Sequence, residues 1–224
     1  MTAANIFIQQ DTVHMVTDGA AIRDDGSLDH LSPKVSIMPH IKAAVCVRGT
    51  PAALAIFCGE MAKADSYDHL KAAITCIVKD AFDRYSPALA AVNPNALTAE
   101  IFVAGWSEKS NSPDAYVMAT TDFNQKIFPA WKVVPLGGCI VPGGADLERD
   151  FSSLPAEFDE SRVIELVRRQ RESRSPIPGN TSHVPPAGVG GFVQLTTVKR
   201  KSIETKILKR WPDYPGDFIR PIAA

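Results

Sequence analysis

The chain has 224 residues, of which 45% are hydrophobic and 22% charged, enough apolar material for one sizeable core. A single domain spanning residues 1–224 is expected. A net charge of −1 gives no bulk attraction to nucleic acid or to an anionic membrane, so neither partner is expected. The local basic stretches (Arg168, Arg169, Arg171 and Arg174; Lys199, Arg200 and Lys201) read as solvated faces and turns.

Taken in chain order, residues 5–10 read as a strand, 11–12 as a turn and 13–17 as a second strand that closes a hairpin. Asp18 and Gly19 end it, which leaves Asp18 at a strand terminus. The polar, turn-rich stretch 20–33 reads as a loop, followed by strands over 34–38 and 43–47. At Thr50 the period changes. Thr50 suits an N-cap and Pro51 a first helical position, with Leu54, Phe57, Cys58 and Met61 on one apolar face. Ser66 caps a second helix that buries Leu70, Ile74, Ile77, Val78 and Ala81, and Pro87 with 93–95 closes it.

Strand composition returns over 97–106 and 115–121, with a weaker strand over 127–136 that contains Pro129. Residues 137–144 read as a glycine-rich crossing into a short helix, and 157–174 as a helix with Val163, Leu166 and Val167 inward. A long irregular loop over 175–188 and a hairpin of 192–198 with 202–208 complete the chain. Strands grouped in hairpins and segregated helices indicate an α+β fold with antiparallel sheets.

No basic-then-apolar leader is visible, and no apolar run approaches 18 residues. A cytoplasmic protein with neither secretion signal nor membrane span is expected. Cys46, Cys58, Cys76 and Cys139 form no CxxC pair and read as buried, reduced thiols. The five histidines (14, 30, 40, 69 and 183) lack ligand spacing, so no metal and no cofactor is expected.

The chemistry-bearing residues lie near the N-terminus. Thr2 follows Met1 and is small enough for that methionine to be trimmed, which would join a hydroxyl and a free α-amine in one residue. With a pKa of about 7.7–8.0, such an amine serves as general base for its own hydroxyl. Asp18 stands 18 − 2 = 16 residues further on, and Lys34 stands 34 − 2 = 32. Thr17-Asp18-Gly19-Ala20, and the segment from Lys34-Val35 to Val47-Arg48-Gly49, complete the pattern.

With these offsets, residues 1–60 resemble the proteasome β-subunit family of N-terminal-nucleophile hydrolases and its bacterial proteasome-like peptidase relatives. The resemblance implies a four-layer αββα sandwich with two antiparallel sheets. It implies a threonine-type peptidase or amidohydrolase that works through an acyl-enzyme. Thr2 would be the nucleophile and its amine the base; Lys34 would tune the amine and Asp18 would orient Lys34. The backbone at Arg48 and Gly49 would stabilise the oxyanion. A homo-oligomer, in this family a ring, and a partner unfoldase are implied in the same way.

The second half departs from the family pattern. Where a serine–glycine pair is usual the chain reads Val141-Pro142-Gly143-Gly144. Where an aspartate and a serine precede a glycine pair it reads Pro185-Pro186-Ala187-Gly188-Val189-Gly190-Gly191. These departures carry the alternative, a catalytically inactive member of the fold with a structural or assembly role. An amidase acting on a small molecule is a third reading.

Overall fold

The computed structural model describes residues 2–23, 25–122, 128–143, 145–154, 156–172 and 188–220. The chain opens with the expected hairpin, β1 (Ala4–Ile8) and β2 (Thr12–Asp18). A short pair follows, β3 (Ala20–Ile22) and β4 (Leu28–Leu31), then β5 (Val35–Met38) and β6 (Ala43–Arg48). Helices α1 (Pro51–Met61) and α2 (Tyr67–Ala90) come next, then β7 (Glu100–Ser107) and β8 (Ser112–Ala119). After them run β9 (Val134–Pro135), β10 (Gly138–Val141), α3 (Ala145–Asp150), α4 (Glu160–Glu172), and the closing hairpin β11 (Phe192–Lys199) and β12 (Ile203–Arg210).

One five-stranded sheet has the order β10-β1-β2-β11-β12, another β5-β6-β7-β8-β9, and β3-β4 form a third of two strands. Every pairing between these strands is antiparallel. This corrects the expected α+β four-layer αββα sandwich with two antiparallel sheets. Among the described residues there are three sheets, and twelve strands outweigh four α-helices. The cause is local. Part of the expected loop 20–33 pairs as β3 and β4, where Leu28 and Ala20 pack with Ile219 in a small core of their own. The expected crossing 137–144 instead supplies β10, which pairs with β1. Helical cover is also uneven, since α3 has six residues and buries none of them.

Period-two alternation feeds three larger cores at once. Along β6, Ala43, Val45 and Val47 face the core beneath α1 and α2, while Ala44 and Cys46 face the first sheet. Along β7, Ile101 and Val103 join the helical side, whereas Phe102 and Ala104 join the inter-sheet side. In β1, Ala4 and Ile6 enter the inter-sheet core and Phe7 packs with Val163, Leu166 and Val167 of α4. Strands covered on both faces read as continuous apolar runs, which is why their sequences show little polar alternation.

The helix starts follow the expected caps. Thr50 Oγ1 accepts the Ala53 N–H at 3.1 Å and Ser66 Oγ accepts the His69 N–H at 3.1 Å, each worth about 1 kcal/mol. Helix α2 continues through Pro87 to Ala90 instead of stopping at the proline. The weak strand expected over 127–136 shrinks to β9, and its first residue lies outside the described residues, as do 173–187. Of the cysteines expected to be buried, Cys46 and Cys58 are, Cys139 is half-buried and Cys76 is exposed on α2. No helix among the described residues is long and apolar enough to cross a membrane.

His14 is a buried polar residue on β2. Its ring stacks on Phe158 with centroids 3.8 Å apart, Nδ1 lies 3.0 Å from Thr197 Oγ1 and Nε2 lies 3.0 Å from Gln9 Oε1. With the Gln9 carbonyl oxygen as acceptor, the ring proton sits on Nε2 and Nδ1 accepts from the Thr197 hydroxyl. Burial, then Lys199 and Lys206, push the ring from 6.5 down to about 4, opposed by Glu160. The unfolded chain therefore binds this proton more readily. The stabilisation is complete above pH 6.5 and is lost as pH falls toward about 4. The urea midpoint of wild type should fall more between pH 7 and pH 5 than that of His14→Gln; equal falls would show that His14 carries none of the acid sensitivity.

Candidate active site

The site forms where β1 begins and β2 ends. Ala4 pairs with Thr17, so Thr2 and Ala3 run beside Asp18 at the end of the neighbouring strand. On the other side β2 pairs with β11, in register Asp18 to Val193, which brings the Gly190 amide to the same carboxylate. Asp18 is fully buried and accepts four bonds among the described residues. Oδ1 takes the Ala3 N–H at 2.9 Å and Lys34 Nζ at 2.8 Å. Oδ2 takes the Ala20 and Gly190 N–H groups, each at 3.1 Å. The Lys34 side chain is 10% exposed, so the pair is shielded from solvent.

Arg48 closes the site from the second sheet. Its Nε donates to the Thr2 carbonyl oxygen at 2.8 Å, and its Nη1 donates to Glu100 Oε2. Arg48 and Glu100 lie directly opposite in the β6–β7 register. Both extend the even-numbered side of their strands, the side that carries Ala44, Cys46, Phe102 and Ala104 toward the first sheet. Gly49 follows at the exposed strand end, where a Cβ would stand 2.7 Å from the Thr98 carbonyl oxygen. Close approach of backbone therefore requires glycine here.

Thr2, Asp18, Lys34 and Arg48 thus come together, with Gly49 adjacent in the chain. Two of the sequence departures acquire a physical account. The Gly190-Gly191 pair has no acid just ahead of it in sequence, yet Asp213 from beyond β12 accepts the Gly191 N–H at 2.7 Å. Asp213 is also bidentate to the buried Arg171 guanidinium, at 2.5 and 2.6 Å. Pro142, in place of the usual serine, offers its carbonyl to Gln170 Nε2 at 2.9 Å, and Gln170 and Asn5 exchange amide bonds at 2.8 and 3.0 Å.

Sequence reasoning missed Glu100 and the Gly190 amide. Glu100 had a readable signal, a lone carboxylate at the head of an apolar strand; a backbone N–H has none. The nearby thiols are poor nucleophiles. Burial pushes Cys46 and Cys139 up to about 12, against the pull of Lys34 and Arg48 on Cys46 and of Arg48 on Cys139. Both are therefore neutral thiols at pH 7. No group of three or more His, Cys, Asp or Glu residues among the described residues could hold a metal ion.

No family model matches the sequence, and no curated protein matches it. The structure is similar to that of the Gly-1 mutant of Anbu from Hyphomicrobium sp. strain MC1. The TM-score is 0.62 over 95% of this chain and 90% of that one, at 10% identity. The likeness is one of fold alone. Matching solved chains number 542, and at 10% identity the likeness to this one selects no activity.

The four-donor cradle makes a stability prediction. Lys34→Met leaves each Asp18 oxygen with at least one backbone N–H. Asp18→Asn turns an amide NH2 toward N–H donors and orphans at least one, at about 1–3 kcal/mol per donor. In urea unfolding, Asp18→Asn should cost more than Lys34→Met, and the double variant should stay below Lys34→Met alone. A double variant more stable than Lys34→Met would mean that charge balance, and not the backbone donors, decides.

Proposed function

We propose that this chain is a threonine-type peptidase or amidohydrolase with Thr2 as nucleophile once Met1 is removed. The observation that carries the reading is the convergence on Thr2. Lys34 and the Ala3 amide share Asp18 Oδ1, while the Arg48 guanidinium holds the Thr2 carbonyl. In this reading the freed Thr2 amine takes the proton from its own hydroxyl as that oxygen attacks a carbonyl carbon. Lys34, a cation, favours the neutral form of the amine, and Asp18 keeps Lys34 in place. The carbonyl oxygen becomes an oxyanion facing the Arg48/Gly49 backbone. The amine returns the proton to the leaving nitrogen, and water then hydrolyses the acyl-enzyme.

The whole span 1–224 is read as one such domain, working in the cytoplasm. A second reading keeps the fold without catalysis, as a structural or assembly protein. It is favoured by Pro142 where the family has a serine, because that removes a hydroxyl from the surroundings of the amine. Assembly into a homo-oligomer and service to an unfoldase belong to the proposal through the family resemblance.

Two measurements separate these readings. Intact mass of protein from its native host should lack Met1, and a peptide α′,β′-epoxyketone should add to Thr2 in wild type but not in Thr2→Ala. Wild type with a verified free Thr2 that forms no adduct would turn the conclusion to the inactive reading. Light scattering after size exclusion should give a mass of several chains; a clean monomer at micromolar concentration would remove the assembly proposal.

A further inference from the structure

We infer that the Arg48 side chain, aimed by Glu100, is a positioning device for Thr2, gripping the Thr2–Ala3 peptide from its carbonyl side while Asp18 grips it from its amide side. The inference rests on the threonine-hydrolase reading above. It concerns the Arg48 side chain, distinct from the backbone role assigned to the Arg48/Gly49 turn.

Both polar groups of one peptide unit are held by charged side chains, Asp18 fully buried and Arg48 partly so. The Ala3 N–H meets Asp18 Oδ1 at 2.9 Å, and the Thr2 C=O meets Arg48 Nε at 2.8 Å. The two holders come from different sheets, β2 of the first and β6 of the second. A peptide unit is planar, so holding its two polar ends while the chain continues into β1 at Ala4 fixes its plane. With that plane fixed, the Thr2 Cα is anchored, and Cα carries both the amine and the hydroxyl-bearing side chain. Nucleophile and base are thereby positioned together, with only rotation about the Thr2 Cα–C and Cα–Cβ bonds left to orient them.

Glu100 has the form of a residue present to aim Arg48. Its side chain is 7% exposed and that of Arg48 17%, and they are direct cross-strand partners ahead of the apolar run Ile101-Phe102-Val103. The second oxygen of Glu100, Oε1, is buried without a hydrogen-bond partner among the described residues. A buried ion pair with a spare acceptor is a poor stabiliser compared with apolar packing, so stability alone does not account for it. Arginine also suits the task in a way lysine does not. Its rigid fork donates from Nε to the carbonyl and from Nη1 to the carboxylate at once.

The test uses Met1-free protein, verified by mass, and two readouts: amide hydrogen exchange at Ala3 and epoxyketone inactivation resolved into kinact and KI. Arg48→Ala should speed Ala3 exchange at least tenfold with Ile6 unchanged. It should lower kinact at least tenfold with KI within twofold. Arg48→Lys should fall between, and Glu100→Gln should lower kinact less than Arg48→Ala. A Lys71→Met/Asp114→Asn control, which removes an ion pair outside the site, should move neither readout. Ala3 exchange and kinact both within twofold of wild type in Arg48→Ala would overturn the inference. If Arg48→Ala does not fold, Arg48→Lys decides by the same two readouts. If Ala3 exchange accelerates but wild type itself is never labelled, the hydrolase reading fails separately. The pair is then a strut of β1, and its catalytic role is overturned with that reading.

Discussion

Asp18 is a fully buried carboxylate with four N–H donors, and three of those donors are backbone amides from separate chain segments. Ala3 lies just ahead of β1, Ala20 opens β3, and Gly190 lies just ahead of β11; the fourth donor, Lys34, lies just ahead of β5. An isolated carboxylate in such a place would be costly, and the donors offset that cost by replacing water one for one. The requirement runs in the other direction too. Each backbone N–H is buried at a strand end, beyond the reach of ladder bonding, and needs an acceptor. One side chain meets both requirements, and in doing so it registers the N-terminus against both large sheets.

Glycine at 190 follows from this arrangement. A Cβ there would stand 2.6 Å from Arg171 Nη1 and 2.9 Å from Asp213 Oδ2, inside the ion pair that backs the glycine turn. Gly191, at φ +76°, is in the left-handed region, and its N–H turns to Asp213. The Arg171–Asp213 pair therefore presses the turn from behind while Asp18 holds it in front. Arg171 in its turn stacks 5.1 Å from the Trp211 ring, which ties the end of α4 to the strand-end segment after β12.

The parts of the fold legible in sequence are those whose signals are local. The β1–β2 hairpin, both helix caps and the closing hairpin depend on residues within a few positions of one another, and all stand within a few residues of where pattern puts them. What pattern misses is made by distant partners. Strands β3 and β4 arise in turn-rich sequence because Leu28 pairs its backbone with the C-terminal segment, to Asp217 O and from Gly216 N, both at 2.8 Å. Strand β10 arises in glycine-rich sequence because β1 offers it an open edge. The site divides the same way. Thr2, Asp18 and Lys34 were visible as spaced residue types, while the Gly190 amide and the Arg48–Glu100 coupling exist only once β11 and β7 are in place.

The two departures from the pattern of the family that the sequence resembles bear, in the proposed reading, on catalysis. At Pro142 the Asn5–Gln170 amide exchange ties β1 to α4 and holds the Pro142 carbonyl, so that position is structurally occupied without a hydroxyl. At the glycine pair, Asp213 supplies an acid from outside the local sequence, but Arg171 and Gly191 take up its oxygens. Both substitutes are engaged with other groups, so neither offers a free proton carrier to an N-terminal amine. For a Thr2 nucleophile, the adjustment of basicity would then fall on Lys34, and orientation on the two grips of the Thr2–Ala3 peptide. A catalyst with fewer proton-handling groups depends more steeply on geometry, because each remaining group must act without a partner to correct its position. In that reading the ion pairs around Thr2 act as constraints on position more than as contributions to stability.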